Sequence, residues 1–114
     1  DEIDYALGDC GAKLVIAGAN IPITDEAERM LHERGVVCVP DFIANAGGVI
    51  CAAMEYRGAT QSAAFEAIAE RICANTAAVL ESASRQNVLP RQAAVELARE
   101  RVARAMATRR WSIF

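Results

Sequence analysis

Three observations in the 114-residue sequence predict an α/β fold in which one βαβ crossover leads into a C-terminal helical hairpin. Two short apolar runs, Lys13 to Ala17 and Val36 to Val39, flank a stretch of helical period. All seven glycines lie before residue 59, whereas residues 59 to 114 are rich in Ala and Arg and read almost entirely as helix. Charge divides at the same place: four basic and ten acidic side chains precede residue 59, and eight basic and five acidic ones follow it.

Asp1 to Gly11 reads as a short helix or its remnant, with Ile3, Ala6 and Leu7 on one side and Gly8 and Gly11 ending it. Lys13 to Ala17, closed by Gly18, has the pattern of a strand buried on both faces of a parallel sheet. Thr24 can cap the following helix, and Asp25 and Glu26 lie favourably near the positive end of its dipole. Ala27, Met30 and Leu31 face inward at helical spacing, and Gly35 supplies the stop. Val36 to Val39 is the second buried strand, ended by Pro40, so residues 13 to 39 form a right-handed crossover.

Phe42 to Tyr56 reads as one helix, although Gly47 and Gly48 inside it would each cost about 1 kcal/mol relative to alanine. Gln61 to Arg85 is a long helix with Phe65, Ile68, Ala69, Ile72, Cys73, Val79 and Leu80 in its buried stripe, and Asn87 marks its end. Pro90 opens a last helix at its first turn, with Val95, Ala98, Val102, Ala105 and Met106 as the buried face. Two parallel strands alone leave sheet edges unpaired, so the chain is expected to be part of something larger.

Composition narrows the function classes. With 12 Lys plus Arg against 15 Asp plus Glu, a net charge of -3 and 54% hydrophobic residues, neither intrinsic disorder nor a phosphate-tracking nucleic-acid partner is expected. No apolar stretch approaches the roughly 20 residues that span a bilayer, and the opening Asp1-Glu2-Ile3-Asp4 is unlike a basic signal peptide. A cytoplasmic chain without a membrane partner is expected. Cys10, Cys38, Cys51 and Cys73 form no C-x-x-C pair, and with His32 as the single histidine they predict buried reduced thiols and no metal site. His32, in a charged helix end, reads as a solvated imidazole.

Two segments have compositions that packing explains poorly. Gly18-Ala19-Asn20-Ile21-Pro22-Ile23-Thr24 follows the carboxyl end of the first strand, where open α/β sheets place ligands. Asn20 offers a donor and an acceptor on one amide, suited to a hydroxyl or carboxamide; an ordinary turn, with Asn20 bonding only local backbone, explains it as well. Pro40 to Ile50 follows the second strand in the same way, so the two segments should lie side by side. Gly47 and Gly48 would let a flat ring approach, with Asn45 beside them; tight packing of the glycines against another element is the alternative.

Other expected parts of an enzyme are missing. No G-x-G-x-x-G or Walker loop occurs, because Gly8-Asp9-Cys10-Gly11-Ala12-Lys13 has the wrong spacing. Lys13 is the only lysine and stands at the wrong end of its strand for a catalytic amine. Asp41 and Glu55 are the carboxylates near the glycine pair, and each reads as a solvated or capping residue rather than a general base. No catalytic residue is assigned.

Lys13-Leu14-Val15 running into Gly18-Ala19-Asn20, Pro22 and Thr24, then Leu31, Glu33-Arg34-Gly35, Pro40-Asp41 and Asn45-Ala46-Gly47-Gly48-Val49, resembles the glutamate/leucine/phenylalanine/valine dehydrogenase family. These motifs span about half the chain, and the hairpin after Gly58 matches only in kind. The resemblance implies a two-domain enzyme that deaminates an amino acid to a 2-oxo acid and ammonia with NAD or NADP. It implies that residues 1–58 are the second half of a Rossmann-like NAD(P)-binding domain and residues 59–114 its C-terminal helices, making this a partial Rossmann-like unit. Gly18, Ala19, Asn20, Asn45, Gly47 and Gly48 would then lie against the cofactor, the two asparagines at its nicotinamide end.

The resemblance also implies that Val49 and Ala52 approach the substrate. Glutamate-specific members tend to carry a serine three positions beyond Val49, where this chain has Ala52. A methyl group cannot hydrogen-bond a carboxylate, so an apolar amino acid is favoured there over glutamate. Tyr56 keeps the family's aromatic and is expected to pack. The family's catalytic lysine, aspartate and phosphate fingerprint lie outside this stretch, so the chain alone is expected to be inactive. A homo-oligomer is expected from the unpaired strands; the rival reading is a non-enzymatic helical oligomerisation module.

Overall fold

The computed structural model describes residues 11–108. The expected helix from Asp1 to Gly11 and the thiol of Cys10 fall almost wholly outside that range. Strand β1 is Leu14–Ile16, helix α1 Asp25–Glu33, strand β2 Val37–Val39, helix α2 Asp41–Ala44, helix α3 Gly47–Tyr56, helix α4 Gln61–Gln86 and helix α5 Pro90–Thr108. The strands pair in parallel, Leu14 opposite Val37 and Ile16 opposite Val39, with α1 as the crossover.

Local chemistry sets the ends of these elements. The Thr24 hydroxyl accepts the Ala27 amide at 3.2 Å to start α1, and Gly35 leaves it at φ 80°. Thr60 starts α4 the same way, accepting the Ala63 amide at 3.2 Å. Asn87 ends α4 in the left-handed conformation, at φ 54° and ψ 49°, and Val88 N–H donates back to the Ala83 carbonyl at 3.0 Å. Pro90 is the first residue of α5 and is buried.

The α4–α5 hairpin carries the hydrophobic core: Val79, Ala83, Ala93 and Ala94, flanked by Ile43, Val88 and Leu97. Alanines let the helix backbones approach closely, and Ile43 brings α2 onto the hairpin. Helix α5 also packs on β2, and α4 on α2 and α3.

Five expectations are corrected here. The helix expected over Phe42 to Tyr56 is two helices, broken at Asn45 and Ala46, so Gly47 and Gly48 open α3 and do not interrupt it. The entropic cost of glycine applies to the interior of a helix, so at the first two positions of α3 they are not interior defects. The strands are not buried on both faces: Leu14, Ile16 and Val37 are exposed, because no further strand or helix covers them among the described residues.

The stripe expected to be buried on α5 faces outward: Ala98, Val102, Ala105 and Met106 are exposed and Val95 half-buried, while Ala93, Ala94 and Leu97 face α4. On α4, Phe65, Ala69 and Cys73 are exposed, and Val79 is the deeply buried member of the expected stripe. The thiols likewise divide, with Cys38 buried, Cys51 half-buried and Cys73 exposed. The Cα radius of gyration is 16.6 Å, against roughly 13 Å for a closed domain of this length.

Candidate functional site

Parallel pairing puts the carboxyl ends of β1 and β2 at one edge, and the segments that leave them run side by side. The contact is direct: the Ile21 amide donates to Asp41 Oδ2 at 2.9 Å. The Asp41 backbone carbonyl accepts the Asn45 amide at 2.7 Å as α2 ends, so one residue holds the chain next to Asn20 and the chain at Asn45.

Gly18, Ala19, Asn20 and Asn45 are exposed, and neither asparagine side chain has a hydrogen-bond partner among the described residues. An Asn20 amide occupied with local backbone is therefore not what the structure contains. Packing among the described residues does not explain the glycines either. There a Cβ on Gly48 or Gly18 would meet nothing within 4 Å, and one on Gly47 would meet Ile68 Cγ2 at 3.6 Å, an ordinary contact.

On α3 the spacing of Gly48, Val49, Ala52 and Tyr56 places them along one outward face, opposite buried Ile50. Val49 is 77% exposed and Tyr56 94%. Tyr56 thus packs against nothing among the described residues, which corrects the packing role expected for it. His32 is exposed, in the last turn of the crossover helix.

Asp41 is not the solvated carboxylate that its place after Pro40 suggests. It is 4% exposed, and its Oδ1 accepts from Arg91 Nη2 at 3.0 Å while Arg91 Nε donates to buried Glu28 at 2.7 Å. The Ile21 amide, opposed by burial and helped by the hydrogen bond and charge of Arg91, holds the Asp41 carboxyl below the usual carboxylate range. Burial, with the Glu28 carboxylate nearby, pushes the Cys38 thiol up, so it stays a neutral thiol. Glu55 is exposed and meets the Cys51 sulfur at 3.9 Å.

A family model described as glutamate/leucine/phenylalanine/valine dehydrogenase matches residues 1–110. The chain belongs to that family of oxidoreductases. An NADP(+)-dependent glutamate dehydrogenase of Pyrobaculum calidifontis is 43% identical over 109 residues, covering 88% of this chain and 25% of that protein. A leucine dehydrogenase of Bacillus cereus is 34% identical over 101 residues, covering 88% and 27%. The crystal structure of L-tryptophan dehydrogenase from Nostoc punctiforme matches with a TM-score of 0.79 and 27% identity, over 91% of this chain and 31% of that one. The chain thus spans about a quarter of the length of these curated relatives.

The dehydrogenase match runs through the α4–α5 hairpin, beyond the motifs that carry the resemblance in the sequence. No described helix is long and apolar enough to cross a membrane.

Proposed function

We propose that this chain is the C-terminal part of the nucleotide-binding domain of an amino-acid dehydrogenase, and that it positions the nicotinamide end of NAD or NADP against an amino acid or its 2-oxo acid. Residues 1–58 would complete a Rossmann-like NAD(P)-binding domain and residues 59–114 buttress it. The observation that carries the reading is the space beside Gly48 that no described residue fills, with Asn45 just before it in the chain, Asn20 on the segment bonded to Asp41, and both side-chain amides unpaired among the described residues. An uncovered amide pair beside a bare stretch of helix at the carboxyl ends of parallel strands suits a flat carboxamide-bearing ring.

What the dinucleotide supplies when bound is a hydride acceptor. The residues of this chain orient and exclude: Asn45 and Asn20 would hydrogen-bond the nicotinamide half, Gly47 and Gly48 would allow its approach, and Val49 and Ala52 would meet the substrate. None of them moves a proton.

In the full-length protein, Asn45→Ala should lower kcat while leaving the affinity for ADP-ribose, a probe of the adenosine half, unchanged. Equal losses in both would point to a folding role. Residues 1–114 alone should give no amino-acid-dependent reduction of NAD or NADP. The exposed apolar face of α5 favours a second reading, an assembly module without catalysis. Calorimetric titration of the full-length protein with NAD and NADP separates the two, since absence of binding removes the dehydrogenase reading.

A further inference from the structure

Asp41 belongs to the segment that carries Asn45, bonds the segment that carries Asn20, and is itself held from a third element. Its Oδ2 accepts the Ile21 amide, its main-chain carbonyl the Asn45 amide, and its Oδ1 the Arg91 guanidinium of α5. Ile21 has φ 49°, a conformation that a β-branched side chain rarely adopts and that persists only where the surroundings hold it. The hydrogen bond from its amide to Asp41 is such a constraint.

Arg91 is fixed in turn. Its Nε bonds Glu28 of α1, and its guanidinium lies 5.8 Å from the centre of the Phe42 ring. Its two bonded nitrogens therefore engage two separate carboxylates, which a single ammonium on a flexible stem reproduces poorly.

We infer that Asp41 and Arg91 are positioning residues for the nicotinamide site. Arg91 sets the Asp41 carboxylate, the carboxylate sets the Ile21 turn, and the turn sets the direction of Asn20, so the C-terminal hairpin shapes a surface it does not itself form. The inference rests on the nicotinamide role proposed for Asn20 and Asn45.

The test is a double-mutant cycle in the full-length protein, with Asn20→Ala, Asp41→Asn and both together, read as kcat, KM for the amino acid and ADP-ribose affinity. Asp41→Asn keeps the shape but leaves one acceptor oxygen for two donors. It should lower kcat about tenfold, with ADP-ribose affinity changed less than about twofold. In the Asn20→Ala background it should cost less than about twofold more, because the group it aims is already gone.

Losses that multiply, or a fall in melting temperature with kcat unchanged, would overturn the inference. If Asp41→Asn does not fold, Arg91→Lys is carried through the same cycle with the same two outcomes. Should Asn20→Ala and Asn45→Ala both leave kcat unchanged, the nicotinamide reading fails and the inference with it. If those two lower kcat and Asp41→Asn does not, the inference alone fails.

Discussion

Arg91 Nε donates to Glu28 Oε2 at 2.7 Å across 63 residues of sequence, joining the last helix to the crossover helix. With Asp41 on its other side, one cation neutralises two carboxylates that are nearly sealed from water, whereas the Arg91 side chain itself stays 30% exposed. That asymmetry decides which change is worst. Arg91→Met leaves two buried carboxylates without their cation, and losing one partner of a buried ion pair costs about 3 kcal/mol or more. The urea midpoint of the variant should fall accordingly, with the slope unchanged if the folded state keeps its compactness.

Acid should act through the same carboxylate. The folded Asp41 carboxyl titrates below its unfolded value, first because of the Ile21 amide, with Arg91 adding to it. The stability it contributes is therefore complete above the unfolded value of about 3.9 and is lost as pH falls through the lower folded value. The unfolding free energy of wild type minus that of Asp41→Asn should be constant above about pH 5 and shrink toward pH 2. A difference independent of pH over that range would mean that Asp41 contributes by shape alone.

The crossover and the hairpin were legible because their signals are local. Thr24, Gly35, Asn87 and Pro90 cap or stop helices through contacts within a few residues, and the structure uses each as the sequence suggests. Thr60 carried the same signal before Gln61 and was available to the same reasoning. The break at Asn45 was not legible, since a glycine pair is compatible with the inside of a helix or with its start, and only the turn around Asp41 decides.

Arg91 was invisible for a different reason. An arginine in the first turn of a helix ordinarily reads as a solvated residue, and its partners lie 50 and 63 positions away. Periodicity found the apolar stripe of α5 but could not say what covers it. The α4 partner takes the alanine face instead, where the backbones come closer.

Substrate preference should turn on Ala52. It stands three residues beyond Val49 on the outward face of α3, and the relatives of this chain include enzymes named for glutamate and for leucine. Ala52→Ser would add a hydroxyl able to donate to a side-chain carboxylate, and a hydrogen bond to a charged group contributes about 1.5 kcal/mol or more. In the full-length protein the ratio of kcat/KM for glutamate to that for leucine should rise about tenfold. An unchanged ratio would place the substrate's side chain away from α3.

Self-association of the chain on its own follows from what it leaves uncovered. Ile16 is 63% exposed on β1, and Val102 and Met106 are exposed on α5. There, with Phe42, Val95 and Ala98, they line an apolar groove of about 360 Å³. Burying ~600 Å² of such surface would contribute roughly 15 kcal/mol at 25 cal/mol per Å². Lost translational and rotational freedom opposes it by about 4 to 15 kcal/mol, so association is favoured wherever that cost stays below the gain from burial. Sedimentation of residues 1–114 should therefore show a dimer or larger species, and Met106→Lys, which puts a charge into the groove, should shift it toward monomer. A compact monomer at high micromolar concentration with cooperative thermal unfolding would mean that the chain closes its own core. Oligomers indifferent to Met106→Lys would move the contact to the open strands, where Ile16→Lys is the corresponding test.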